Sequence, residues 1–264
     1  MPDYRFDTPG PVDLRITTAS GRVTVVATET ATSTVEITAL DDDARELADQ
    51  TTVRCDGRRM LIETPERRQI LSIRRRRLDI TVTVPTGSSL TSRTASAALS
   101  ATGRYATVEA HSASGDIRVE EVDGDVEAHV ASADVTIGSG RAVSAHSASG
   151  KVRIGRATGE VDVKCASGKV DVGVAEGSVR ARTASGDISI DEARAGTISL
   201  NVASGDLRIG VRSGVTALLD LRSVSGRIRS ELPVDDDAPD GGAPLEIRAR
   251  STSGNVLVVP AART

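Results

Sequence analysis

The sequence predicts an all-β fold: a single-stranded β-solenoid, or β-helix, with about 18 residues per coil and an irregular N-terminal cap. Three observations predict it. A phrase of Ala-Ser-Gly, a charged residue and Val or Ile returns along most of the 264 residues at nearly constant spacing. Aliphatic residues flank that phrase at every second position, which is the period of a strand and not of a helix. The chain holds only two Tyr, one Phe and no Trp, so its interior must be thin and lined by Val, Ile, Leu and Ala.

Taken in order, residues 1–90 depart from the repeat and read as an N-terminal β cap with a first coil. Residues 12–27 form that coil around Ser20, residues 34–38 a strand, and residues 41–50 a short helix with Asp41 as its N-cap. Further strands are expected over 51–55, 60–63 and 78–84. An elaboration of this kind protects an open end of a stack, where strand edges and apolar side chains would face water.

Residues 91–264 are the repeat solenoid, expected to continue the cap as one domain. Its central serines are Ser96, Ser114, Ser132, Ser149, Ser167, Ser185, Ser204, Ser225 and Ser253, at steps of 18, 18, 17, 18, 18, 19, 21 and 28. The sixth residue before each serine is aliphatic throughout, from Leu90 through Val126, Val143 and Val161 to Ile247; so is the third after, from Leu99 to Val256. Each repeat is therefore a short strand, a corner, a second short strand and a turn. A hairpin meander would invert alternate strands and would not require identical corners. A coil sets each position on its own copy about 4.8 Å away, which produces columns of like residues. Residues 86–231 contain no proline, so every backbone N–H there is available to pair with a neighbouring coil. The corner Gly is explained by close backbone approach. The long acidic stretch 233–244 accounts for the final step and reads as a loop.

The repeated phrase, with the lead-in Leu78-Asp79-Ile80-Thr81-Val82-Thr83-Val84-Pro85-Thr86-Gly87, resembles the bacterial putative-adhesin family of β-strand-repeat domains of unknown function. The resemblance spans residues 12–258. It implies a right-handed solenoid and transfers no catalytic residue.

Charge and motifs narrow the function. With 33 Lys and Arg against 37 Asp and Glu, the net charge of -4 supplies no global field to concentrate nucleic acid, and the scarcity of aromatics removes base-stacking surfaces. No apolar run approaches the about 20 residues that span a bilayer, and the start lacks a basic-then-apolar leader, so no membrane partner and a cytoplasmic location are expected. Cys55 and Cys165 have no metal spacing and read as two buried thiols. Gly138-Ser139-Gly140 lacks the third Gly of a dinucleotide loop, and Val follows Gly150-Lys151 and Gly168-Lys169 where a phosphate loop needs Ser or Thr. Nothing supplies the recurrent serines with a base, so they read as corner chemistry. No cofactor, metal or small-molecule substrate is expected.

Two surface features are candidates. His111, His129 and His146 share one repeat position, three before the serine, in consecutive coils. Arg93 precedes them in that column, and Lys164, Arg182, Asn201, Arg222 and Arg250 follow, with no carboxylate from Arg93 onward. This is a basic stripe suited to docking an acidic segment or ligand. In the last coil Leu257 takes an outward position held elsewhere by residues such as Arg118, Arg153 and Arg208. Val256, Leu257 and Val258 are thus an expected end-to-end contact, unless the 233–244 loop covers them. The leading expectation is a non-enzymatic structural or protein-interaction scaffold, with a protein partner or itself as the partner. A self-assembling, bactofilin-like filament element is the alternative. A β-helix polysaccharide-active enzyme would need charged groups converging with aromatics in a groove, and the mixed charge columns show none.

Overall fold

The structure, a computed structural model, describes residues 3–41, 44–65, 77–233 and 245–262. It forms two compact units, Met1–Asp134 and Val135–Thr264.

The first unit contains β1 (Asp3–Asp7), β2 (Asp13–Thr18), β3 (Gly21–Thr28), β4 (Thr32–Ala39), α1 (Arg45–Gln50), β5 (Thr52–Asp56), β6 (Arg59–Glu63), β7 (Leu78–Pro85), β8 (Ser89–Thr94), β9 (Ala98–Tyr105), β10 (Thr107–Ser112), β11 (Ile117–Val122) and β12 (Asp125–Ser132). One layer runs β1-β4-β7-β3-β9-β11 and the other β5-β6-β2-β8-β10-β12. The repeat strands pair in parallel, like residue on like: Val108 on Val126, Ala110 on Ala128, His111 on His129. Their aliphatic columns are buried between the layers.

The second unit contains β13 (Val135–Gly140), β14 (Ala142–Ser149), β15 (Val152–Ala157), β16 (Val161–Ser167), β17 (Val170–Ala175), β18 (Val179–Ser185), β19 (Ile188–Ala193), β20 (Thr197–Ser204), β21 (Leu207–Val211), β22 (Ala217–Ser225), β23 (Ile228–Ser230), β24 (Leu245–Ser253) and β25 (Val256–Pro260). Its layers run β13-β15-β17-β19-β21-β25-β23 and β14-β16-β18-β20-β24-β22. Val143, Val161, Val179, Ile198 and Ile247 form one continuous buried column. This is the all-β solenoid that the repeat predicts.

The corners show why Ser and Gly recur. A Cβ added to Gly186 would lie 2.0 Å from the Gly168 carbonyl oxygen, and one on Gly168 would lie 2.0 Å from that of Gly150. Close approach is therefore a real constraint. The backbone adds a second, because φ is +129° at Gly186 and +151° at Gly168, where a side chain is strained. Each glycine N–H donates to the serine carbonyl of the next coil, at 2.9 Å for Gly168 to Ser185 and for Gly186 to Ser204. The residue two before the serine closes the corner with its side chain. Ser112 Oγ accepts from Gly115 N at 2.8 Å, and Ser223 Oγ donates to the Gly254 carbonyl at 2.9 Å. Cys165 occupies this column, buried, with Sγ 3.9 Å from the Gly150 carbonyl.

Coil order does not follow chain order. In the first unit the Ser20 coil (β2, β3) lies between the coil of β6 and β7 and that of β8 and β9: Leu14 pairs with both Met60 and Leu90, and Val23 with both Ile80 and Leu99. In the second unit the Ser253 coil (β24, β25) is inserted between those of Ser204 and Ser225: Ile247 pairs with both Ile198 and Leu219. In each unit the parallel coil nearest the chain terminus has a neighbouring coil on both sides, although β1 itself lies at the outer edge of its layer. That protects it from fraying, because it is paired on both sides.

The cap departs from expectation in three places. Residues 3–7, to which the sequence pattern assigns no element, form β1, antiparallel to β4, with Tyr4 and Phe6 rings stacked 6.5 Å apart. The helix begins at Arg45 with Ala44 at the cap position, not Asp41; the Asp41 carboxylate instead accepts the Arg77 N–H at 3.2 Å. Cys55 is only half-buried, whereas Cys165 is buried. Tyr105 is the one aromatic fully inside, its hydroxyl donating to the Val25 carbonyl at 2.9 Å. Burial raises its pKa well above the tyrosine range, with the Glu120 charge adding to it and a backbone hydrogen bond with Ala27 opposing it only in part. Of the expected 233–244 loop, all but Pro233 lies outside the described residues.

Candidate functional site

The stripe is built by register. In the first unit Arg93, His111 and His129 occupy adjacent rungs of β8, β10 and β12. The His111 and His129 rings stack with centroids 4.9 Å apart and planes within 5°. In the second unit His146, Lys164, Arg182, Asn201, Arg250 and Arg222 occupy successive rungs. The expected column therefore exists within each unit, but with Arg250 ahead of Arg222 because of the inserted coil.

Reading the column alone missed its partner. Outward residues two positions earlier lie on the same face, and there Glu109 and Glu127 meet the histidines: His111 Nε2 is 2.9 Å from Glu109 Oε1, and His129 Nε2 is 2.7 Å from Glu127 Oε1. Arg93 also donates to Glu109 Oε1, at 3.0 Å. In the second unit Lys164 lies 3.9 Å from Asp162, while Asp220 lies 3.0 Å from Arg222 and 3.8 Å from Arg250. The signal that would have revealed this is strand periodicity itself, since residues i and i+2 share a face. The stripe is a mixed-charge ladder and not a purely basic one.

A second ladder lies along the other layer of the second unit. Arg194 reaches Glu192 and Glu176, both at 2.8 Å, and Arg156 also bonds Glu176. Asp171 sits between Lys151 at 2.8 Å and Lys169 at 3.2 Å. Burial would raise its pKa, but the two lysine hydrogen bonds and charges outweigh that and hold it below the usual carboxylate range. Between β16, β18 and β20, a shallow groove lined by Gly159, Gly177, Ser178, Thr197 and Ser199 carries Arg180 and Glu160, 3.6 Å apart.

The apolar run is placed differently from expectation. Val256 and Val258 are buried within β25, which lies between β21 and β23, so the run is not the last rung. Leu257 is half-buried, in register with Arg208 on one side and Arg229 on the other. The edge position passes to β22 and β23.

Among the described residues, no group of three or more His, Cys, Asp or Glu is placed to hold a metal ion, and no helix is long and apolar enough to cross a membrane. Burial raises the pKa of both thiols, with Asp56 adding to it at Cys55; at Cys165 hydrogen bonds from Ser147 and Ser167 only partly oppose it. Neither is an activated nucleophile.

The family model described as Toastrack DUF4097 matches residues 13–258. Similar solved structures include a putative adhesin from Bacteroides fragilis, 13% identical over 97% of this chain and 95% of that chain, with a TM-score of 0.35. Another is a putative adhesin from Parabacteroides distasonis, 10% identical over 97% and 96%, with a TM-score of 0.40. No curated protein matches the chain.

Proposed function

The chain belongs to the Toastrack DUF4097 family, and from that premise we propose that it is a non-enzymatic scaffold presenting a rigid β-solenoid face to a protein partner. The observation that carries this reading is the register of the outward charges. Glu109 with His111 and Glu127 with His129 repeat one pairing at adjacent rungs of the first unit, and Asp162 pairs with Lys164 in the second, set along strands and not gathered in a pocket. Spread, fixed charges select a partner by complementarity along an edge or helix of matching spacing. Catalysis requires convergence on a reacting atom, which this arrangement does not provide.

Lys164, Arg182 and Arg250 are where the ladder is richest in cations, and a partner segment bearing carboxylates fits them. Affinity capture with the wild type, against a variant carrying Lys164→Ser, Arg182→Ser and Arg250→Ser, tests it. Loss of a captured protein that then binds the purified wild type directly supports the reading. Identical capture by both overturns it for this face.

A further inference from the structure

β22 ends its layer, yet it has the same form as an inner coil. It pairs on one side with β24. The Thr216 carbonyl accepts the Leu245 N–H at 2.9 Å, so by strand alternation the N–H and C=O groups of Leu219, Leu221 and Ser223 point away from β24. Among the described residues nothing covers this rung: the outward Leu218 is 58% exposed and Val224 84%, and in the aliphatic columns Leu219 is 38% exposed and, on β23, Ile228 46%. In the same column as Leu219, Ile198 and Ile247 are fully buried. Long apolar edges of this kind are templates for pairing with another chain.

We propose that this edge is covered by a second copy of the protein, β22 against β22 in antiparallel pairing about a two-fold axis at Leu221. The sequence Ala217-Leu218-Leu219-Asp220-Leu221-Arg222-Ser223-Val224-Ser225 complements itself in that register. Leu221 meets Leu221, Asp220 meets Arg222 twice, and Leu218 meets Val224 twice. Asp220 and Arg222 already form a 3.0 Å pair within one copy, and the partner's charges extend it to a square of alternating sign. A slip of the axis by one residue either way sets Asp220 against Asp220 or Arg222 against Arg222, so the register is specified by repulsion as well as attraction. β23 obeys the same symmetry: an axis at Ser230 sets Arg229 against Glu231 and Ile228 against Leu232. Leu221 lies four residues before the corner serine and Ser230 five after, so a single axis serves both strands. An isologous contact closes on itself and makes a dimer, not a filament. The pairing takes up only the Arg222 end of the outward ladder and leaves Lys164 and Arg182 free, so its failure would not touch the scaffold reading.

Sedimentation velocity of the full chain over a concentration series tests it. A monomer–dimer equilibrium is expected. Asp220→Arg or Arg222→Asp alone weakens the dimer at least tenfold by opposing like charges, and the double swap Asp220→Arg with Arg222→Asp restores it, while circular dichroism stays unchanged. Leu221→Cys yields a covalent dimer on oxidation, because directly opposed residues of a hydrogen-bonded pair sit about 5.5 Å apart, within disulfide reach. Leu218→Cys, facing Val224, does not. A monomer at every concentration, an open series of oligomers, or a dimer indifferent to both single swaps overturns the proposal.

Discussion

At the edge of the first unit, β7 is covered by antiparallel β4 and β1, and β6 by antiparallel β5; at the edge of the second, β22 and β23 repeat the coil and, among the described residues, nothing follows. Both units tuck the coil nearest the chain terminus one place inward. They differ in what happens to the last rung. Antiparallel strands break the like-on-like rule, so they cannot template another coil, and β1 offers alternating Asp3, Arg5 and Asp7 where a coil offers aliphatic columns. The comparison teaches that a repeat ends by changing its pairing rule, whereas an edge that keeps the rule stays ready for another strand.

Inner rungs should be the least tolerant of change. Gly186→Ala, in the second unit, drives a methyl into the Gly168 carbonyl and forces a side chain to φ +129°. Overpacking plus the left-handed penalty is expected to cost about 4 kcal/mol in chemical denaturation. Gly10→Ala, in the first unit, has nothing within 4 Å and should change stability little. Equal costs would break the account of the corners.

One column separates rung from edge. Ile247→Ala is expected to cost about 3 kcal/mol, as for a fully buried aliphatic, and Leu219→Ala, one rung out, less than about 1 kcal/mol in dilute protein. If Leu219→Ala costs as much as Ile247→Ala in a monomer, the edge is covered from within the chain.

These contrasts also show what the sequence could and could not tell. The columns of Val, Ile and Ala were legible because a side chain stacked on its own copy must match it in size and polarity, which leaves a period in the sequence. Coil order was not legible: Ile247 fits against Ile198 or Leu219 equally well, so like-on-like pairing is blind to which copy comes next. For the same reason Val256 and Val258 read as an exposed end when they are inside. The histidine column was visible, but Glu109 and Glu127 stand two positions earlier in the repeat, and only the shared face of i and i+2 joins them to it. β1 was hidden because Asp3–Asp7 carries just Tyr4 and Phe6 as alternating apolar residues, too short a pattern to stand apart from the turn residues after it.

The smallest effect is electrostatic. Asp171 has a lower pKa folded than unfolded, so its contribution is full above its unfolded pKa and is lost as pH falls through the folded one. Stability should therefore drop on acidification through the carboxylate range, and Asp171→Asn should flatten that slope while lowering stability at neutral pH. An unchanged slope would mean that Lys151 and Lys169 do not hold the carboxylate in solution.

Methyl–methyl nuclear Overhauser contacts from Ile198 test the stacking order most directly. Paired strands lie about 4.8 Å apart and second neighbours about twice that. The account predicts contacts from Ile198 to Val179 and Ile247, with Leu219 reaching Ile247 and not Ile198. Contacts running Ile198 to Leu219 to Ile247, in the order of the chain, would contradict it.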